Sequence, residues 1–184
     1  MSNSLMWWMM LALLLFWGVG LYNRLMRMRA RGLSALGSVE KHLREYPLLT
    51  GDQSQKFHRV GSDVPFAQVD STADWESVTI AVQALDHALK VARAEPLAIE
   101  PLTKLRQAIN ALQQVWDGLQ ALPSDLAGPA VPNDMRMQWE FVAKRVETSR
   151  IGYNQIMLKY NEALAQFPAC WIVGLMGFKP GGLL

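Results

Sequence analysis

The N-terminal stretch LMWWMMLALLLFWGVGLY, residues 5–22, constrains the fold most strongly, because it holds no charged side chain. As a helix, its 18 residues extend about 27 Å, which is close to the hydrocarbon thickness of a bilayer. Three tryptophans and Tyr22 lie toward the ends of the stretch, where amphipathic aromatic rings favour the membrane interface. The sequence therefore predicts a membrane anchor over residues 1–23, with a single span at about 5–22.

A cluster of arginines follows this stretch directly and predicts the orientation of the chain. It comprises Arg24, Arg27, Arg29 and Arg31. Basic residues beside a membrane span stay on the cytoplasmic side, so we expect the N-terminus outside and residues 24–184 in the cytoplasm. The same arginines are candidates for contact with anionic lipid headgroups. The alternative is a cleaved signal peptide, but residues 2–5 carry no basic group and no small-residue cleavage site ends the stretch.

Residues 24–184 carry apolar stripes at helical spacing, which predict a helical-bundle domain. The membrane helix is expected to continue to Tyr46 and to end before Pro47. Its cytoplasmic stripe is Leu36, Val39, Leu43 and Tyr46. A second helix is expected from about Asp74 and a third from Pro101, a residue that the first turn of a helix tolerates. Their stripes are Trp75, Val78, Val82, Leu85, Leu89 and Ala92, and then Leu102, Leu105, Ile109, Leu112, Trp116 and Leu119.

The fourth predicted helix is the longest, covering residues 133–167, with Asn133 or Asp134 as its cap. Its stripe is Met135, Trp139, Val142, Val146, Ser149, Tyr153, Ile156, Tyr160, Ala163 and Phe167. Two aperiodic connections are expected, a long loop at 47–73 and a shorter one at 123–132.

These patterns predict an all-α fold, in which an N-terminal transmembrane helix is followed by an antiparallel four-helix bundle. The stripes step by three and four residues, as in a coiled coil, which favours left-handed packing at shallow crossing angles. An apolar C-terminal tail, residues 168–184, completes the domain. Its part at 169–178 is too short for a second span, so it either packs under the bundle or lies in the membrane interface.

The dipeptide Tyr-Asn occurs three times, at 22–23, 153–154 and 160–161. The two late pairs lie seven residues apart on one face of the fourth helix. An asparagine at the edge of a helix stripe can fix the register against a neighbouring helix. We therefore predict that the Tyr-Asn pairs join the first and last helices at the membrane surface. The alternative is that they are ordinary core tyrosines with solvated asparagines.

Two segments resemble the LemA family: LYNRLMRMRAR after the apolar stretch, and RIGYNQIMLKYNEALAQFP followed by Gly177-Phe178. The late segment matches the family pattern Tyr-Asn-x5-Tyr-Asn, then Phe-Pro, then Gly-Phe, which brings Phe167 and Pro168 into the set of candidate interaction residues. The resemblance implies a membrane-anchored, antiparallel helical bundle at the bacterial inner membrane. The middle of the chain departs from the family pattern, because LREYPLLTGDQSQ stands where LemA proteins carry Arg-Arg-Tyr-Asp-x-Ile-Pro-Asn-Leu.

The sequence argues against an enzyme, a bound cofactor and a metal site. Its single cysteine, Cys170, excludes an intramolecular disulfide and any CxxC site, and the three histidines are far apart. The pairs Asp86-His87 and Glu40–His42 are the acid–base candidates, but neighbours at such spacing do not face each other on a helix.

The partners that we expect are the lipid bilayer and unidentified proteins. A formal net charge of +2 and the membrane position of the arginines argue against nucleic acid. We therefore predict a non-catalytic interaction or scaffold role, with homo-oligomerisation left open. The alternative is an oligomeric membrane-remodelling or pore-associated component that uses the apolar C-terminal tail.

Overall fold

The computed structural model describes residues 2–51, 69–122, 131–166, 173–174 and 176–184. Four long helices account for most of these residues, and no strand occurs among them. The helices are α1 (Ser2–Leu43), α2 (Val69–Ala94), α3 (Ile99–Ala121) and α4 (Asn133–Ala165). The predicted all-helical fold is confirmed. Helix α1 packs mainly on α4, and α2 packs mainly on α3.

Helix α1 has two parts with opposite environments. Over residues 5–17 its large apolar side chains are exposed, and Phe16 is 82% exposed. From Leu25 onward one face is buried in the bundle core, including the predicted stripe residues Leu36, Val39 and Leu43. By length and composition, α1 is the one helix in the described chain that could cross a membrane. A single rigid element therefore joins the apolar N-terminus to the bundle.

Helices α2 and α3 bury the stripes that their sequences predict, without exception. Their ends also follow the prolines: α2 ends at Ala94, two residues before Pro96, and α3 ends at Ala121, two before Pro123. Helix α3 begins at Ile99, so that Pro101 lies in the first turn, where no backbone N–H is needed for a helical hydrogen bond.

Helix α4 departs from the predicted stripe in its second half. Met157 is fully buried, whereas Ile156 is only partly buried. A straight helix turns every 3.6 residues, so a stripe that repeats every 3.5 residues drifts off the buried face by about 20° per heptad. The predicted caps Asn133 and Asp134 are also wrong, since Pro132 occupies the N-cap position and no side chain caps the helix.

The bounds predicted for the long loop, 47–73, extend into helical residues at both ends. After a turn at Arg44 the chain is helical again over 45–51, and α2 already begins at Val69. Pro47 explains the turn, because its ring clashes with the carbonyl four residues earlier, at Leu43, but fits the first turn of a new helix. Residues 52–68 and most of the second connection, 123–130, lie outside the described residues.

Aromatic rings join the elements in the core. The Trp116 and Trp139 rings stack with centroids 3.8 Å apart, and Tyr46 lies 4.5 Å from Trp139. Two ion pairs add links between elements: Glu40 of α1 pairs with Arg93 of α2, and Glu45 pairs with Arg145 of α4 at 3.2 Å.

Candidate functional site

The two late Tyr-Asn pairs bind a segment of the chain's own backbone. Residues 178–184, FKPGGLL, form this segment, which we name the tail segment. The Asn161 amide donates to the Gly181 carbonyl at 2.9 Å and accepts from the Gly181 N–H at 2.8 Å. Asn154 repeats the arrangement at Leu184, with distances of 2.6 Å and 2.9 Å. Each asparagine therefore satisfies the donor and the acceptor of one residue of the tail segment.

The two tyrosines add a hydroxyl donor to each pair. Tyr153 donates to the Gly182 carbonyl at 2.9 Å, and Tyr160 donates to the Lys179 carbonyl at 3.2 Å. Burial raises the pKa of both hydroxyls, and for Tyr160 the Arg29 guanidinium works in the opposite direction. Both tyrosines are therefore neutral hydrogen-bond donors at neutral pH.

The connection between α2 and α3 forms the opposite wall of the site. Leu97 has a φ of 75°, in the left-handed region that non-glycine residues rarely adopt, and its carbonyl accepts from the Gly182 N–H at 2.9 Å. We name the surface formed by Leu97, Tyr153, Asn154, Met157, Tyr160 and Asn161 the Tyr-Asn groove.

The groove leaves no room for a side chain at two positions of the tail segment. A Cβ at Gly182 would lie 2.9 Å from the Ile99 Cα and 3.1 Å from the Ala98 carbonyl oxygen, both of which are backbone atoms. A Cβ at Gly181 would collide with the end of the Met157 side chain, which is flexible. Glycine is therefore required strictly at 182 and less strictly at 181.

The first Tyr-Asn pair reaches the same segment by a different contact. The Tyr22 ring lies 5.7 Å from the Phe178 ring, at the start of the tail segment. Asn23 is exposed, and its backbone carbonyl accepts from the Arg27 Nε at 3.3 Å. The hydrogen bonds of the late pairs thus run to the tail segment, and Tyr22 meets that segment rather than the late pairs.

The structure places the remaining predicted site residues as follows. Arg24, Arg27, Arg29 and Arg31 are all exposed on α1, in the turns that follow the apolar stretch. Phe167 and Pro168 lie outside the described residues, as do 169–172 of the predicted tail. Val173 is buried in the core. Phe178 is partly buried and packs against the core.

Three of the four acid–base candidates, Asp86, Glu40 and His42, contact a side chain of opposite or complementary character. Asp86 pairs with Lys90 at 2.7 Å, and His42 lies 3.1 Å from Glu45. Glu40 pairs with Arg44 as well as with Arg93. A search of the described residues finds no group of three potential metal ligands.

A cavity of about 130 Å³ lies in the bundle between Tyr46, Trp139 and Arg150. Pockets for small molecules are typically about 300–1,000 Å³, so this cavity is smaller than an ordinary cofactor site.

Sequence reasoning found the groove's tyrosines and asparagines but missed Leu97, Met157 and both glycines of the tail segment. The seven-residue repeat of Tyr-Asn and the adjacent Gly181-Gly182 were visible signals. Neither pattern predicts that the Tyr-Asn pairs bind the two glycines, because the hydrogen bonds between them are made to backbone atoms.

Comparison with models of known protein families, with curated proteins and with solved structures finds no match for this chain in any of the three. Over the part of the chain that the structure describes, the protein is all-helical and has one helix that is long and apolar enough to cross a membrane. The likeness to LemA proteins rests on the sequence motifs.

Proposed function

We propose that this chain is a single-pass, LemA-like membrane protein whose helical bundle has a non-catalytic interaction or scaffold role. In this proposal the N-terminus lies outside a bacterial inner membrane and the bundle lies in the cytoplasm. The partners are the bilayer, through residues 5–22, and proteins that the bundle binds.

The continuity of α1 is the observation that carries this proposal. Its large apolar side chains at 5–17 are exposed, an arrangement that costs free energy in water and is favourable in lipid. The same helix contributes Leu25, Val39 and Leu43 to the core. A rigid link between span and bundle suits a protein that holds a binding surface at a fixed position over the membrane.

Contacts along α1 and α4 support the antiparallel arrangement. A side chain at Gly32 would meet Met157, whereas Tyr46, further along the chain, meets Trp139, which lies nearer the start of α4. The end of α4 thus returns toward the membrane side, where Arg29 influences Tyr160.

The chemistry of the groove supports a binding role over a catalytic one. Its tyrosines stay protonated at neutral pH, and its asparagine amides are occupied by backbone partners. The described end of the tail is engaged as well, since Gly181, Gly182 and Leu184 are buried against the bundle. The alternative role in membrane remodelling would require those residues to leave the groove.

Membrane fractionation with topology reporters tests the proposal. We would fuse to residue 184 one reporter that is active only in the cytoplasm, and in a second strain one active only outside it. Uncleaved chain in the membrane fraction with the cytoplasmic reporter active is the expected result. A cleaved, soluble chain, or an active external reporter, would contradict the proposed placement.

A further inference from the structure

We propose that the Tyr-Asn groove is a peptide-binding site that accepts, in trans, an extended segment of another polypeptide with two consecutive glycines followed by two aliphatic residues. The chain's own tail segment is then its resident ligand. This inference deepens the proposed interaction role and rests on it, because it names the class of partner.

The groove binds the tail segment through that segment's backbone atoms. Four side chains and the Leu97 carbonyl make seven hydrogen bonds to the main chain of residues 179–184. Recognition through main-chain donors and acceptors is the mode by which proteins bind extended peptides. An extended segment from another chain offers the same donors and acceptors.

The spacing of the two asparagines on α4 matches the spacing of their partners on the tail segment. Asn154 and Asn161 are seven residues apart, which is about 10.5 Å along a helix. Their partners, Leu184 and Gly181, are three residues apart, which is about 10 Å along an extended chain. The tyrosines follow the same rule, since Tyr153 and Tyr160 bind residues 182 and 179. One seven-residue repeat of Tyr-Asn along the helix therefore equals the length of three residues of extended backbone.

The walls of the groove limit which side chains a bound segment can carry. The backbone of Ala98 and Ile99 excludes a Cβ at the second glycine, and Met157 disfavours one at the first. Leu184 is buried at 3% exposure, whereas Lys179 and Pro180 are exposed. The selected ligand is thus Gly-Gly followed by two aliphatic residues, with free choice at the two preceding positions.

A competition experiment on the full-length chain in lipid nanodiscs tests this proposal. The probe is a fluorescent synthetic peptide, FKPGGLL, and binding is followed by fluorescence anisotropy. The Gly182→Val chain should release its own tail segment and leave the groove free. The unmodified chain should bind the probe at least about 10-fold more weakly, because its tethered segment competes at an effective concentration on the order of millimolar.

Two controls define specificity. Adding Asn154→Ala and Asn161→Ala to the Gly182→Val chain should weaken binding at least about 30-fold, since four hydrogen bonds are lost. A peptide that carries the Gly182→Val change should not bind any of the chains. Circular dichroism checks that each chain is folded, and a chain truncated after Phe178 serves as a second open variant if Gly182→Val unfolds the chain.

The proposal is overturned if no folded open chain, whether Gly182→Val or truncated after Phe178, binds the probe. Binding that is unchanged by the two asparagine substitutions would also overturn it, because it would reflect apolar adhesion alone. Neither result affects the membrane placement, which the topology reporters test separately.

Discussion

At the scale of single residues, the two glycines of the tail segment differ in what surrounds them. Gly182→Ala places a methyl group against the backbone of Ala98 and Ile99, so the segment must shift. We expect a loss of about 1–3 kcal/mol in the free energy of unfolding. Gly181→Ala meets only the flexible end of Met157, and its loss should stay below about 1 kcal/mol. Thermal unfolding followed by circular dichroism measures both, and equal losses would contradict the geometry of the groove.

The raised pKa values of the buried tyrosines predict how stability depends on pH. Burial raises the pKa of Tyr46 to about 12 and also raises that of Tyr153. The pKa of an unfolded tyrosine is about 10, so the unfolded chain releases these protons first as the pH rises. Stability from these groups is therefore fully present below pH about 10 and is lost as the pH rises through the folded-state values.

Tyr153→Phe tests that dependence. The variant loses one hydrogen bond to the Gly182 carbonyl and should be about 1–2 kcal/mol less stable at pH 7. Between pH 10 and 12 its stability should fall less steeply than that of the unmodified chain, because one titrating group is gone. Urea unfolding across this range measures the slope, and identical slopes would show that Tyr153 titrates normally.

The residues of the groove were predictable to different degrees. A tyrosine on an apolar stripe is expected to be buried with its hydroxyl bonded, and Tyr153 and Tyr160 follow that rule. The partner of the hydroxyl was not predictable, because a backbone carbonyl carries no sequence identity. The left-handed conformation of Leu97 gave no signal either, since leucine has no preference for it.

At the scale of helices, the periodicity of the sequence predicted the buried residues correctly in α2 and α3. Every predicted stripe residue of α2 and α3 is buried. The prediction failed at Pro47, where a proline that ended one helix also began another, and at Met157, where the face of a long helix drifts. Both errors come from treating a helix as an ideal repeat with hard ends.

Two glycines of α1, Gly32 and Gly37, form a matched pair for substitution by alanine. Gly37 is exposed, and a Cβ there meets nothing within 4 Å. Gly37→Ala should therefore stabilise the bundle by about 0.5–1 kcal/mol, the usual gain inside a helix. A Cβ at Gly32 would lie 2.8 Å from the Met157 sulfur, so that Gly32→Ala must displace the side chain that also supports Gly181. Chemical denaturation compares the two, and a larger gain for Gly32→Ala would contradict this packing.

At the scale of the whole molecule, the tail segment joins the elements at the end of the bundle from which the apolar part of α1 extends. It hydrogen-bonds to α4 and to the connection between α2 and α3, and its Phe178 meets Tyr22 of α1. The stripes of the sequence could predict four helices, but not this tie, because the tail segment has no periodicity. In the proposed placement, a change in the occupancy of the groove would therefore act at the end of the bundle that lies next to the membrane.

The arginine cluster allows placement and folding to be separated. Changing its four members to glutamine removes the charges that favour the cytoplasmic side, so part of the population should insert with the bundle outside. The arginines are exposed, so the stability of the purified chain should change by no more than about 0.5 kcal/mol. A control that changes Lys41, Lys90, Arg106 and Lys144 removes as many exposed charges further from the span and should leave the orientation unchanged. The ratio of external to cytoplasmic reporter activity, measured for both variants, decides the matter. Equal ratios for the two variants would mean that the arginines do not set the orientation.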